Sequence, residues 1–195
     1  MARPITFNEE DVIDKAVEVF WAKGYEATSM QDLVDAMGIQ RGSLYAAFGS
    51  KQQLFLKSLS RYGAVVVKKL LEILESKPSA IESIELFFAQ LVEHLLTAGE
   101  LRSCLVTNSA VERGLRDEET KQQVLQLLNA LENGFYKTLL RAKENGELST
   151  EFDLDLKVVA NYLTSSMQGL LVMGKVCSER SILMNINQIT LSIIK

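Results

Sequence analysis

Residues 29–55 read SMQDLVDAMGIQRGSLYAAFGSKQQLF, and this stretch decides how the rest of the chain is to be understood. After Ser29, the apolar residues Met30, Leu33, Val34 and Met37 recur at helical spacing, and Gly38 closes the run. Gln31 or Asp32 stands near where the partner of an N-terminal capping box belongs, with Thr28 or Ser29 as the cap. A second short helix is predicted from about Gln40 to Phe48. Its Leu44 and Phe48, four residues apart, turn to a core and leave Gln40, Arg41, Gly42, Ser43 and Tyr45 outside. Gly49 breaks that helix, and Ser50 with Gln53 opens the next. Helix, glycine-containing turn and short helix over residues 29–48 have the spacing of a helix-turn-helix, in which the second helix enters a DNA major groove. An ordinary helical hairpin has the same outline. The polar face of the second helix favours the DNA reading, because its groups reach phosphates and base edges and Gly42 lets the backbone come close. Lys51 adds a cation at a helix start, where free N–H groups also favour an anion.

Outward from this segment the period stays helical. Val12, Ile13, Ala16, Val17 and Phe20 stripe a first helix that ends near Gly24. A long fourth helix carries Leu54, Phe55, Leu59, Val66, Leu70 and Leu74 until Ser76-Lys77-Pro78. Ser79 with Glu82 opens a fifth, and a shorter sixth runs from Leu101 to Glu112. Asp117 opens a seventh that stops at Gly146, Asp153 an eighth that reaches about Lys175, and Ile182 to Ile194 make the last. No alternation suggests a strand, so the predicted class is all-α with about nine helices. The predicted organisation is a helix-turn-helix DNA-binding domain at residues 1–55 and a larger helical ligand-binding and dimerisation domain at residues 56–195.

Composition narrows the function. The 195 residues are 47% hydrophobic and 24% charged, enough for a sizeable core without disulfide or metal. One histidine and two cysteines, in no metal-ligand spacing, argue against a metal site, a Ser-His triad and a disulfide scaffold. With no Gly-rich phosphate loop either, no catalytic residue, metal or cofactor is expected, and the chain reads as a non-enzyme. The first residues lack an apolar export segment, and no apolar run approaches the ~18 residues of a membrane span, so a cytoplasmic protein is expected. Net charge is −4, but it is uneven: residues 1–35 hold eight acids against three bases, whereas residues 36–71 hold six bases and no acid. A solvated lysine-rich face would look the same; a local footprint for an anionic polymer on an otherwise acidic body is the functional reading.

An ordered set over some fifty residues resembles the TetR/AcrR family of transcriptional regulators: Phe20, Gly24-Tyr25, Thr28-Ser29-Met30, Leu33-Val34, Gly38-Ile39, Arg41-Gly42-Ser43-Leu44-Tyr45, Phe48, Ser50-Lys51 and Leu54-Phe55. The resemblance implies a repressor that binds double-stranded operator DNA as a homodimer and is released by a small-molecule inducer. It implies contacts to bases or phosphate from Arg41 and Gly42, and to phosphates from Ser29, Met30, Tyr45 and Lys51. Gln40 and Ser43 would assist Arg41 in reading bases. The chain departs from the pattern at Met30, where many relatives carry a hydroxyl, and at Ala46-Ala47, which offer only apolar contact, for instance to thymine methyls.

The last two helices are apolar with small residues, and the resemblance makes them the dimer interface, a four-helix bundle about a two-fold axis. One short recognition helix also reads too few bases for specific affinity. Phe87, Phe88, Leu91, His94, Cys104, Asn108, Phe135, Leu139, Tyr162, Ser166 and Met173 mix apolar bulk with sparse polar groups. That is the make-up of a ligand pocket and equally of a core. Residues 101–106, LRSCLV, with Lys175 later, also resemble a branch of the family that responds to electrophiles. A cation such as Arg102 or Lys175 near Cys104 would favour its thiolate, although a helical cysteine is more often a small buried hydrophobe. A ligand-independent helical DNA-binding or adaptor protein is the remaining alternative.

Overall fold

The computed structural model describes residues 7–97, 104–149 and 152–194. All regular structure among them is helical. The α-helices are α1 Glu9–Lys23, α2 Met30–Met37, α3 Arg41–Phe48, α4 Lys51–Tyr62, α5 Lys68–Leu74, α6 Ala80–Thr97, α7 Leu105–Arg113, α8 Glu118–Glu144, α9 Leu156–Met173 and α10 Arg180–Ser192. A π turn, Gly63–Val67, joins α4 to α5 without a break, so the described residues form nine continuous helices. The π turn was not foreseen. Three consecutive valines after Gly63 are poor α-formers, and one wider turn accommodates an extra residue there.

The starts follow local chemistry. Asn8 caps α1 by accepting the Glu10 N–H at 3.0 Å, and Ser50 caps α4 through the Gln53 N–H at 3.1 Å. Asp117, directly before α8, accepts the Thr120 N–H at 2.7 Å. The eighth helix begins two residues later than expected: Asp155, not Asp153, caps α9 by accepting the Lys157 N–H at 2.7 Å. The expected start of the sixth helix at Leu101 lies outside the described residues; α7 is described from Leu105. Among the described residues, no helix is long and apolar enough to cross a membrane, and no group of histidine, cysteine and carboxylate side chains is placed to hold a metal ion.

The chain forms two compact units. One runs to Val65 and takes in Cys104–Val124 as well; the other holds Val66–Ser103 and Leu125 onward. The predicted boundary after Phe55 falls inside α4. In the first unit, α1 packs on α2 and α4, α3 on α2 and α4, and α7 on α1 and α4. Its core centres on Ala16, Phe20, Leu33, Leu44, Leu54, Phe55 and Leu59, all excluded from solvent. Phe20, Tyr25 and Phe55 form an aromatic cluster with ring centroids 5.0 to 6.2 Å apart.

In the second unit, α6 packs on α5, α9 and α10. Phe87 and Phe88 of α6 meet Phe135 of α8, with centroids 4.9 and 5.9 Å from it. The start of α6 is capped by a distant carboxylate. Glu147 accepts from the N–H of Ala80 at 3.1 Å, the N–H of Ile81 at 3.0 Å and the Ser79 hydroxyl at 2.7 Å. Partial burial pushes the Glu147 carboxyl up, but the donors from Ile81, Asn145, Ser79 and Ala80 outweigh it and bring it down to about 2.

Candidate nucleic-acid interface

The helix-turn-helix is built by two local devices. Ser29 is the N-cap of α2, and its hydroxyl accepts the Asp32 N–H at 3.1 Å while the Asp32 carboxylate accepts the Ser29 N–H at 2.8 Å. This is the capping box, with Asp32 rather than Gln31 as partner. Hydrogen bonds from Lys23 first, then from Ser29, hold the Asp32 carboxyl well below the usual carboxylate range. At the other end Gly38 takes the left-handed conformation, φ 69° and ψ 29°, and its N–H returns to the Val34 carbonyl. That closes α2 and turns the chain into α3 within three residues.

On α3, Leu44 and Phe48 are buried and Arg41, Gly42, Tyr45 and Ala46 are exposed; Ser43 and Ala47 are half-buried. The exposed residues at i, i+1, i+4 and i+5 make one continuous face. Gln40 precedes it as the N-cap and makes no side-chain capping bond. The Arg41 guanidinium lies 5.8 Å from the Tyr45 ring centroid, and no ion pair to it is found among the described residues. A Cβ on Gly42 would meet nothing within 4 Å, so the backbone there lies open to an approaching surface. Ser29 is exposed with its hydroxyl in the capping box, and Met30 is half-buried.

The basic run of residues 36–71 is less free than its count suggests. Lys57 pairs with Glu9 at 2.6 Å, and Arg61 holds Asp14 in a two-point bond at 2.7 and 2.9 Å with Glu10 at 3.4 Å. Acidic residues of α1 therefore neutralise Lys57 and Arg61 of α4. Lys51, at the first position of α4, sets its ammonium 4.3 Å from the Tyr25 ring centroid. Burial lowers its pKa, with Glu26 and Glu112 opposing and Arg113 adding to the shift. Arg41 is left as the exposed cation on the presented face.

Sequence reasoning missed Glu112, Arg113 and Gln52, and read Asp117 only as a helix start; the four surround the α1–α2 turn and the start of α4. Arg113 donates to Glu26 at 2.9 Å and Gln52 at 3.2 Å, and Gln52 donates to Asp117 at 2.8 Å. These partners are some sixty to ninety residues apart, and nothing in local spacing marks them.

The residues expected of a ligand pocket fall in both units. In the second, Phe87, Phe88, Leu91, Phe135 and Leu139 are buried, and the three rings close on one another as core. His94, Tyr162 and Met173 are exposed and Ser166 is half-buried. In the first unit, Cys104 is the buried N-cap of α7, with the Tyr62 hydroxyl 3.6 Å from its sulfur, and Asn108 is half-buried. Arg102 lies outside the described residues. A separate groove of about 420 Å³ in the second unit is lined by Leu71, Leu74, Gly134, Lys137, Thr138 and Arg141. The last two helices leave Val158, Tyr162 and Val172 of α9, and Ile182 and Ile189 of α10, in solvent, with Val158 61% and Ile189 69% exposed.

Comparison with known proteins places this geometry. Residues 12–57 match the family described as bacterial regulatory proteins, tetR family, and residues 80–188 match the tetracyclin repressor-like C-terminal domain. The HTH-type transcriptional regulator YezE of Bacillus subtilis (strain 168) is 36% identical over 194 residues, 100% of each chain. The HTH-type transcriptional repressor ComR of Escherichia coli (strain K12) is 27% identical over 97% of this chain and 90% of its own. Among solved structures, a cysteine mutant of the TetR family regulator CifR, complexed with 26 bp double-strand operator DNA, superposes with a TM-score of 0.86 at 27% identity, covering 100% of both chains.

Proposed function

Because the chain belongs to the TetR family of bacterial regulatory proteins, a helix-turn-helix transcriptional regulator that binds operator DNA and not an enzyme, we propose that it acts in the cytoplasm as a homodimeric repressor released by a small molecule. The observation that carries the DNA-facing part is the outer face of α3, where Arg41 is exposed with no ion pair among the described residues while Lys57 and Arg61 of α4 pair with α1. In this reading Arg41 reads bases, with Gln40 and Ser43 assisting and Ala46 and Ala47 in apolar contact. Gly42 admits the DNA backbone. Ser29, Met30, Tyr45 and Lys51 contact phosphates, and Lys51 leaves the Tyr25 ring to do so.

Dimerisation through α9 and α10 is supported by the apolar strip those helices leave in solvent, and by Gly169 within it, where a Cβ would meet nothing. Two heads about one helical turn apart, ~34 Å, would then read an inverted repeat. The inducer shifts the population toward an arrangement that fits the operator poorly. Its site is proposed in the second unit, among Phe87, Phe88, Leu91, His94, Phe135, Leu139, Tyr162, Ser166 and Met173. The Tyr62 hydroxyl against the Cys104 sulfur gives the electrophile-sensing alternative a specific footing.

The test is selection of duplexes from a random pool by the purified protein, followed by affinity measurement against salt. An inverted repeat, bound with a steep salt slope and released by a ligand, is expected. Absence of any preferred sequence would end the reading.

A further inference from the structure

The turn between α1 and α2 is held by a side chain more than eighty residues further along. Glu112, in the last turn of α7, accepts the N–H of Tyr25 on one carboxylate oxygen and the N–H of Glu26 on the other, both at 2.8 Å. The same carboxylate occupies the space beside Gly24, whose φ is 79°; a Cβ there would lie 2.9 Å from the nearer oxygen. The turn thus combines a residue without a side chain and an anion seated on two successive N–H groups. Every link from there to α3 is short. The Thr28 hydroxyl donates to the Gly24 carbonyl at 2.5 Å, Ser29 caps α2, and Gly38 turns α2 into α3.

We propose that Glu112 is a positioning residue for operator recognition: by fixing the Gly24–Glu26 turn it sets the direction in which α2 departs, and so how α3 is presented to the groove. This rests on the DNA-binding reading above. α7, which sequence alone assigns to the regulatory part, is on this account a working component of the reading head.

Glu112→Gln tests it. The amide keeps one acceptor but sets its NH2 against the second backbone N–H. Three quantities are measured: hydrogen exchange at the Tyr25 and Glu26 amides without DNA, affinity for a duplex selected by the wild-type protein, and affinity for a shuffled duplex. Faster exchange at those two amides is expected, with about tenfold weaker operator binding, the size of one charge-assisted hydrogen bond lost, and shuffled-DNA binding unchanged. Glu112→Ala should give the same pattern, faster exchange and weaker operator binding with shuffled-DNA binding unchanged, and it serves if the glutamine variant does not fold. Wild-type operator affinity in both variants overturns the proposal, and so does an equal loss on both duplexes, which marks a general loss of folded protein. If the wild type itself prefers no duplex, the DNA-binding reading fails, and unchanged amide exchange would separately remove Glu112 as the holder of the turn.

Discussion

The two compact units spend their side chains differently. In the first, polar groups are fixed in closed pairs: Arg61 on Asp14, Ser29 on Asp32, and Glu112 on two backbone amides. What is left over includes the polar Arg41 face of α3, beside isolated exposed apolar residues such as Val111 and Leu115. In the second unit the surplus is apolar, a strip of valine, isoleucine and tyrosine along α9 and α10 left partly in solvent. The difference teaches that the first unit is arranged for orientation, where a few groups must point one way. The second is arranged for area, where non-directional burial supplies the free energy.

Substitutions that add charge to the strip should break that contrast most severely. Ile189→Asp is expected to leave a folded monomer by sedimentation and to reduce operator binding to the level of random DNA, roughly a thousandfold or more. A dimer that survives would show that α10 is not the surface that pairs. Next comes Phe135→Ala, which empties the centre of the Phe87–Phe88–Phe135 cluster and should cost about 3–5 kcal/mol in denaturant unfolding while leaving the Arg41 face intact. Arg41→Ala is smaller and opposite in kind: stability unchanged, but ~1–3 kcal/mol lost at the base it reads and sequence preference relaxed there, by fluorescence anisotropy on single-position variants.

The smallest effect is acidic. The Glu147 carboxyl is drawn down to about 2 by the donors at the start of α6, so its stabilisation is complete above the ordinary carboxylate range and is lost as pH falls toward 2. Acid unfolding of Glu147→Gln should therefore be less pH-dependent than that of the wild type across this window. Equal slopes would mean that the cap contributes nothing.

What could be read from the sequence was what chemistry writes locally. The capping residues before α2 and α4, the Gly38 turn, and the Leu44–Phe48 core face of α3 each lie within four or five residues of their cause. The apolar periods gave the nine helices for the same reason. The charge of residues 36–71 was legible as a count but not as a surface, because its partners Glu9, Glu10 and Asp14 stand some fifty residues earlier in the chain. Glu112 and Arg113 were invisible, since a carboxylate near a helix end looks like any other until the fold brings the Tyr25 turn to it. The candidate pocket shows the opposite limit. Phe87 and Phe135 satisfy the composition of a binding site and of a core alike, and only their mutual packing separates the two.

Trp21 is the one tryptophan in the 195 residues, and its indole meets the Tyr62 ring edge-on with centroids 5.3 Å apart. Both residues belong to the first unit. Light absorbed by indole alone therefore yields an emission that speaks for that unit, while circular dichroism sums the helices of both. The molecule arrives with its own optical tag, and a loosening of the DNA-reading half can be followed without attaching a dye.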